Sequence, residues 1–425
     1  MSLKTLFISM EDESTNETEL VVAADDTIEI EIADAAEAGA EAEEQADNVE
    51  ELGEITEGLE SILVSMESAM QDGGLNPQAA LFMQHAVQAH VGRLGLSASD
   101  VTPSMESFGG ASGQAAATTI SMEGIGDTIK KIWLAIKNAI SKAIQAVKNF
   151  FAKIFGGVAK LKSRADSLTR AVNELKAFNG EKIRVPNANT LRYKGKADIS
   201  SIVSGLEGTF TAVSTITDNL LAGADNFYGQ AVSNILNKSD LESAKKEALD
   251  AMLRSATAEW NTVSGKVSNV SQVFSGDTVF RQDSAAGATD DKVLTIPKLI
   301  KGFGFKDLDD GGVEVPAPTQ SSMLTLLAAT SKILVQLENR KKDLEALTKK
   351  REEASKKTDQ KVEGWVNKIK DSAGHAAASM IMRFVNKDLT RPVNAVYAHG
   401  FNVARASLAL VERSVASHKK GPAKK

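Results

Sequence analysis

The sequence contains no cysteine, and this absence excludes several kinds of chemistry. Without thiols there is no disulfide framework, no thiolate metal site, no iron–sulfur cluster and no thiol nucleophile. Histidine is scarce, with five residues, as are tryptophan and tyrosine, with three each, and proline, with eight in 425 residues. A chain poor in proline and aromatic residues favours long helices, so we predict a mainly α fold.

Long apolar runs and catalytic motifs are missing as well. No stretch of 18 apolar residues occurs, and the short apolar patch after Lys4 is followed by acidic residues, so we expect neither a membrane-spanning helix nor a secretory signal. No HExxH, Walker, GxSxG or dinucleotide pattern is present. The acidic residues from Asp307 to Glu314 do not have the spacing of an EF-hand and predict a turn. We therefore predict no enzyme activity, no catalytic residue, no cofactor and no metal site.

The net charge of −7 conceals a division of the chain into two parts. Residues 1–123, called the leader below, contain 25 acidic and two basic side chains, which gives −23. Residues 124–425, the basic body, contain 31 acidic and 47 basic side chains, which gives +16. Such asymmetry indicates that the two parts have different partners or different lifetimes.

The leader has the composition of a largely disordered segment. Residues 1–50 combine dense acidic charge with few aromatic residues, so they bury too little apolar area to offset chain entropy. Two modest helices are predicted further on, at Val49–Met70 and Pro77–Arg93, separated by a Gly-Gly pair. A Ser/Gly/Ala linker is predicted from Ser97 to Thr119.

The tripeptide Ser-Met-Glu occurs four times, always inside the leader. Chance alone would supply on the order of 0.1 such triplets in the chain, and the copies do not follow a repeat period. The third and fourth copies lie in the predicted linker or at its end, where an extended, accessible backbone favours proteolysis. We predict these processing residues: Ser9, Glu11, Ser65, Glu67, Ser104, Glu106, Ser121, Glu123 and, as the new N-terminus, Gly124.

This pattern resembles the internal head proteins of giant phiKZ-like tailed bacteriophages. In that family a phage prohead protease cuts after the Glu of small-x-Glu sites in a dispensable N-terminal segment. The resemblance implies a virion protein of the capsid interior, present in the host cytoplasm during assembly. It also implies that the chain is trimmed during maturation, and it allows delivery into the host with the DNA. The implied partners are the prohead protease, other internal head proteins and the packaged DNA.

A cationic amphipathic helix is predicted at 124–162, directly after the fourth copy. Apolar residues from Ile129 to Ile154 recur at spacings of three and four, Asp127 is suited to cap the helix, and Gly156-Gly157 is predicted to end it. Such a helix can lie in a lipid interface of the host membrane or pack into a helical bundle. The predicted contact residues for membrane, partner or DNA are Lys130, Lys131, Trp133, Lys137, Lys142, Lys148, Phe151 and Lys153.

The rest of the body, 163–425, is predicted to be helical with an irregular or β insert near 273–318. Long amphipathic helices are expected from about Ser321 to Lys357, with a seam interrupted at Lys341, then at Thr358–Phe384 and at Pro392–Ser417. The predicted fold class is a mainly α helical bundle with a small β insert and a disordered acidic N-terminal segment.

We therefore interpret the chain as an internal capsid protein of a tailed phage, made as a precursor, whose basic body contacts packaged DNA through phosphates without reading its sequence. In the precursor, the acidic leader is expected to mask the cationic helix electrostatically. Two alternatives remain open. One is an unprocessed capsid scaffold whose leader directs assembly, and the other is a membrane-permeabilising α-helical protein supported by the cationic helix.

Overall fold

The structure is a computed structural model of the chain. It describes residues 17–176, 178, 182–251, 273–281, 298–301, 308, 313–366, 374–387 and 391–420. The first Ser-Met-Glu copy, most of the acidic turn after Asp307 and part of the predicted insert lie outside these residues.

Two helices dominate the leader, as the sequence indicates, but the first is much longer than predicted. Helix α1 spans Glu17–Gln71 and helix α2 spans Pro77–Val91. The sequence predicts that residues 1–50 are largely disordered. Of these, residues 17–50 are described, and their backbone is helical. Gly73 and Gly74 make the turn between the helices with φ values of 92° and 101°, a conformation that glycine adopts without steric cost. Asn76 then caps α2, since its Oδ1 accepts a hydrogen bond from the N–H of Ala79 at 2.9 Å.

The predicted linker is wrong in its second half. Short 3-10 turns occupy Gly92–Leu94, Ala98–Asp100 and Met105–Phe108, and a 64-residue helix, α3, then runs over Ala111–Glu174. The cationic helix predicted at 124–162 is therefore the middle of a longer helix. Its first turns form because they pack against α1 and the 3-10 turns that precede them, although their Ser, Thr and Gly residues have weak helical propensity.

Gly156 and Gly157 lie inside α3 and do not end it, so that prediction is wrong as well. Each glycine costs about 1 kcal/mol relative to alanine in a helix interior. Burial of Val158, Leu161 and Val172 beyond the pair stabilises the continuous helix by a larger amount, since each buried aliphatic side chain contributes about 1.5–3 kcal/mol.

The remaining helices come from the body. Helix α4 consists of Ile199–Thr211, Thr217–Asn226 and Val232–Leu236 joined by two π-helical segments, and α5 covers the described residues 241–251. The single helix predicted over 321–357 is divided at Arg340 into α6 and α7, so the sequence was right about an interruption of the apolar seam at Lys341 but wrong about the continuity of the helix. The last four helices are α6 (Gln320–Asn339), α7 (Lys341–Val366), α8 (His375–Lys387) and α9 (Arg391–Lys420).

Four short strands form two antiparallel pairs. Strand β1 (Lys182–Arg184) pairs with β4 (Glu314–Pro316), and β2 (Thr278–Arg281) pairs with β3 (Lys298–Lys301). Three of these strands lie in the predicted insert. Long helices together with a small β element confirm the predicted fold class of a mainly α bundle.

The apolar interior of the bundle is divided into two clusters. The first, called the body core, contains buried residues from Ala146 to Val415, and none of its described members precedes Ala146. The second, called the shared core, combines leader residues from Val49 to Ala117 with body residues from Ile125 to Ile144, from Ala224 to Ala251 and from Leu347 to Val385. Helix α3 joins them, because its first part lies in the shared core and its second part in the body core.

Candidate functional site

The third Ser-Met-Glu copy is the most accessible of the described copies. Ser104 has an extended backbone (φ −63°, ψ 152°), and the 3-10 turn that follows is held by local hydrogen bonds such as Ser107 N–H to Ser104 O at 3.0 Å. Ser104, Glu106 and Ser107 are exposed, while Phe108 is buried and fixes the end of the turn. The exposed position predicted for this copy agrees with the structure, whereas cutting after Glu106 stays a prediction.

The fourth copy lies inside α3, so the prediction that its backbone is extended and accessible is wrong. Ser121 is buried, and its hydroxyl donates a hydrogen bond to the carbonyl of Ala117 at 2.9 Å. Gly124 packs against the chain at Val101 so closely that a Cβ at this position would lie 2.1 Å from the Val101 carbonyl oxygen. Only Glu123 of the triplet is exposed. The helix therefore has to open before these residues can enter a protease.

The second copy is also helical. In α1, the Ser65 hydroxyl bonds to the carbonyl of Ser61, Met66 is completely buried in the shared core, and Glu67 is half-buried. This copy lies within the helix predicted at Val49–Met70, and its helical conformation is confirmed. The first copy, with Ser9 and Glu11, lies outside the described residues.

The amphipathic pattern of the cationic helix is confirmed, and its apolar face is buried within the chain. Trp133 and Phe151 belong to the two cores, together with the isoleucines of the predicted stripe. Phe151 contacts the ring of Tyr397 edge-on at a centroid distance of 5.9 Å. In this fold the face is occupied by leader and body residues, and its contact with a membrane or partner stays a prediction.

Several lysines of this helix form ion pairs with acidic residues of the body. Lys137 lies 3.1 Å from Asp359 and also pairs with Glu363, while Lys148 pairs with Glu352 on the same helix, α7. Burial disfavours the charge of Lys137, but its hydrogen bonds to both carboxylates outweigh that effect and raise its pKa. These lysines fix α3 against the body.

Other lysines of the predicted contact set face solvent. The side chains of Lys130, Lys131, Lys142 and Lys153 are exposed. Lys130 forms an ion pair with Asp127 one turn earlier, at 3.1 Å. The two side chains remain exposed, Lys130 to 72% and Asp127 to 68%. Exposed pairs of this kind contribute about 0–1 kcal/mol and leave the lysine able to exchange partners. Contact of these lysines with phosphates stays a prediction.

A leader carboxylate caps a body helix, a contact that the sequence did not indicate. Glu60 of α1 is 8% exposed, and its carboxylate accepts hydrogen bonds from three successive N–H groups at the start of α8, those of Gly374, His375 and Ala376. A carboxylate is stabilised at a helix N-terminus by free N–H groups and by the helix dipole. No local motif around Glu60 could have revealed N–H donors that begin 314 residues further along the chain.

The described histidines occupy separate structural positions. His90 packs under Gly58, His399 is partly buried with an enclosed Nε2, and His418 forms a hydrogen bond with the carbonyl of Pro318 at 2.8 Å. Within the described ranges, no group of three or more Asp, Glu or His side chains is placed to hold a metal ion. None of the helices in that same part of the chain has the length and apolar character needed to cross a membrane.

The architecture and these sites define a class of protein, a long-helix bundle in which one helix joins an acidic N-terminal region to a basic body. Residues 24–413 match the family model of the phiKZ-like phage internal head proteins, and the chain belongs to that family. Neither the curated proteins nor the solved structures provide a match. The family resemblance inferred from the sequence is thus confirmed, and membership implies a place inside the phage head.

Proposed function

We propose that this internal head protein is made as a precursor, and that the phage prohead protease removes its leader by cutting after the Glu of the Ser-Met-Glu copies. The last cut, after Glu123, leaves a basic body that starts at Gly124. The observation that carries the proposal is the fourfold exact copy of one tripeptide, confined to the acidic part of the chain. Membership of the internal head family supports it.

The division of the apolar interior also supports removal of the leader. Because the described members of the body core all come from Ala146 onward, this core does not need the leader for its packing. The shared core does need it, since α1 and α2 cover the apolar residues at the start of α3. Removal would leave one core intact and expose part of the other.

Electrostatics supports a role beside packaged DNA. Removal of a leader of charge −23 changes the net charge of the chain from −7 to +16. The exposed lysines of α3, such as Lys130, Lys131 and Lys142, then contact phosphates without base recognition. Binding to duplex DNA should be stronger for a chain that starts at Gly124 than for the full chain, and it should fall with rising salt concentration.

Peptide mapping of the protein from purified particles tests the processing directly. The proposal expects an N-terminus at Gly124 and peptides that end at the Glu of the copies. Intact Met1 in mature particles would contradict it. Absence of the chain from mature particles, with presence in immature ones, would favour the capsid scaffold in its place.

The proposal assigns the lysine-rich helix to contacts after maturation, with other internal head proteins or with the host membrane. Loss of the leader would uncover apolar side chains such as Ile125, Ile129 and Ile136 beside exposed lysines, a combination that suits an interface. Vesicles with anionic lipids should bind the chain starting at Gly124 more strongly than the full chain. Dye release from the same vesicles tests the membrane-permeabilising alternative, and equal binding by both chains would contradict the unmasking.

A further inference from the structure

We propose that processing follows an obligatory order, in which the bond between Glu106 and Ser107 is cut first and the bond between Glu123 and Gly124 becomes accessible only when residues 1–106 leave α3. This inference rests on the proposed function, and it concerns the regulation of those same sites. Two bonds with the same recognition tripeptide differ in accessibility because of the fold around them.

A protease binds its substrate as an extended strand, so the state of the backbone decides which copy is cut. At the third copy, Ser104 is already extended and only a 3-10 turn has to open. This turn is exposed at Glu106 and Ser107, and exposed turns of this kind are the usual positions of proteolytic nicking. The folded precursor therefore presents this copy.

The fourth copy is held in a helix by contacts from both sides. Within α3, the buried Ser121 hydroxyl bonds to the preceding turn. From the leader, the Val101 carbonyl lies against Gly124, and the N–H of Leu75 donates to the Thr118 hydroxyl at 2.9 Å. The backbone around the bond after Glu123 cannot become extended while the contacts from Leu75 and Val101 persist.

The leader itself contains the contacts that protect the fourth copy, and this explains the order. While the chain is intact, 98–106 is linked by a few residues to the start of α3, so the leader rebinds rapidly after any opening. A cut after Glu106 removes that link. Dissociation of residues 1–106 then deprives the first turns of α3 of their packing, and this Ser-, Thr- and Gly-containing stretch opens readily because short unpacked helices are marginal in water.

Limited digestion of the full chain with a glutamyl endopeptidase, followed by mass spectrometry over time, measures this order without the phage enzyme. Of the three described Ser-Met-Glu copies, the bond after Glu106 should be cut first. The variant Glu106→Gln should slow cutting after Glu123 at least about tenfold, because that cut then depends on the rare opened state. The variant Glu123→Gln should leave cutting after Glu106 unchanged.

Glu67→Gln is the matched control, since it alters another copy that is itself helical. It should change neither rate, and cuts elsewhere in α1 affect all variants equally. A second variant, Gly124→Ala, places a methyl group against the Val101 carbonyl and should expose the bond after Glu123 even when Glu106→Gln is also present.

An unchanged rate after Glu123 in the Glu106→Gln chain would overturn the proposal, as would a cut after Glu123 that precedes the one after Glu106. These rates in solution are independent of what particles contain. Mapping of particle peptides tests only the proposed function, so the two failures can be distinguished.

Discussion

The two cores of this bundle differ in the origin of their residues. The body core is built, within the described chain, only from Ala146 and later residues, whereas the shared core needs α1, α2 and the turns that follow them. One helix, α3, takes part in both. A single chain thus combines a part that can keep its packing after trimming with a part whose packing depends on the segment to be removed.

Deletion of residues 1–123 should have the largest effect and should be confined to the shared core. Each aliphatic side chain that becomes exposed loses about 1.5–3 kcal/mol of burial, and several isoleucines of α3 are affected. Hydrogen exchange should show lost protection in 125–144 and in α8, with protection retained in α6 and α9. Deletion of residues 1–48 is the control and should preserve both regions, since Val49 is the first leader residue that the structure describes as buried. Uniform loss of protection would contradict the independence of the body core.

Removal of a buried ion pair next to the body core should instead lower the stability of the body core. Arg192 and Asp277 are both fully buried, with Nε 3.0 Å from Oδ2, and Asp277 also accepts a hydrogen bond from the N–H of Gly195. The variant Asp277→Ala leaves a buried guanidinium uncompensated, which costs about 3–5 kcal/mol. Asp127→Ala, which breaks the exposed pair with Lys130, is the control and should cost about 0–1 kcal/mol. Urea titration of both variants measures the two free energies of unfolding. Equal costs would show that the Arg192 pair is solvated.

Acid should weaken the bundle through His399, which lies on α9 beside Gly400 of the body core side. Burial lowers the pKa of His399 from 6.5 to about 4, so between these values the unfolded chain binds a proton that the folded chain does not. The free energy of unfolding should therefore fall by at most about 3 kcal/mol as pH drops from 7 to 4. His399→Gln should remove this part of the slope in urea titrations. An identical slope in both proteins would contradict the shift.

The smallest expected effect concerns the carboxylate of Glu60. Glu60→Gln keeps an oxygen acceptor at the start of α8 but removes the charge, which should cost about 1–2 kcal/mol. Hydrogen exchange should rise at the first turn of α8 more than in α9. Glu54→Gln, at an exposed residue of the same helix that pairs with Arg93, is the control and should leave α8 unchanged. Equal changes in both helices would contradict a local role.

The sequence was sufficient for the elements whose signal is local. The period of apolar residues predicted the buried face of α3, and the turn at Gly73-Gly74 follows from glycine at positive φ. It was not sufficient for the ends of α3, because its extension to Ala111 depends on contacts with Leu75 and Val101, which no helix propensity encodes.

The candidate sites divide in the same way. Ser104 to Glu106 were predicted in an accessible segment on local grounds, since Pro103 and the following glycines disfavour helix, and the structure agrees. Ser121 and Glu123 were misjudged because their local composition resembles a linker, whereas tertiary packing makes them helical. The cap from Glu60 joins residues too far apart for any pattern to reveal.

The cap from Glu60 also determines when the protein can finish folding on the ribosome. The carboxylate of Glu60 and the N–H group of Gly374 are separated by 314 residues of sequence, so the contact cannot form until nearly the whole chain has been made. At about 5–20 residues per second, α8 emerges roughly 16–60 s after Glu60. During that interval the apolar side of α1 lacks its contacts with α8. The dense negative charge of the leader then opposes association of nascent chains through electrostatic repulsion.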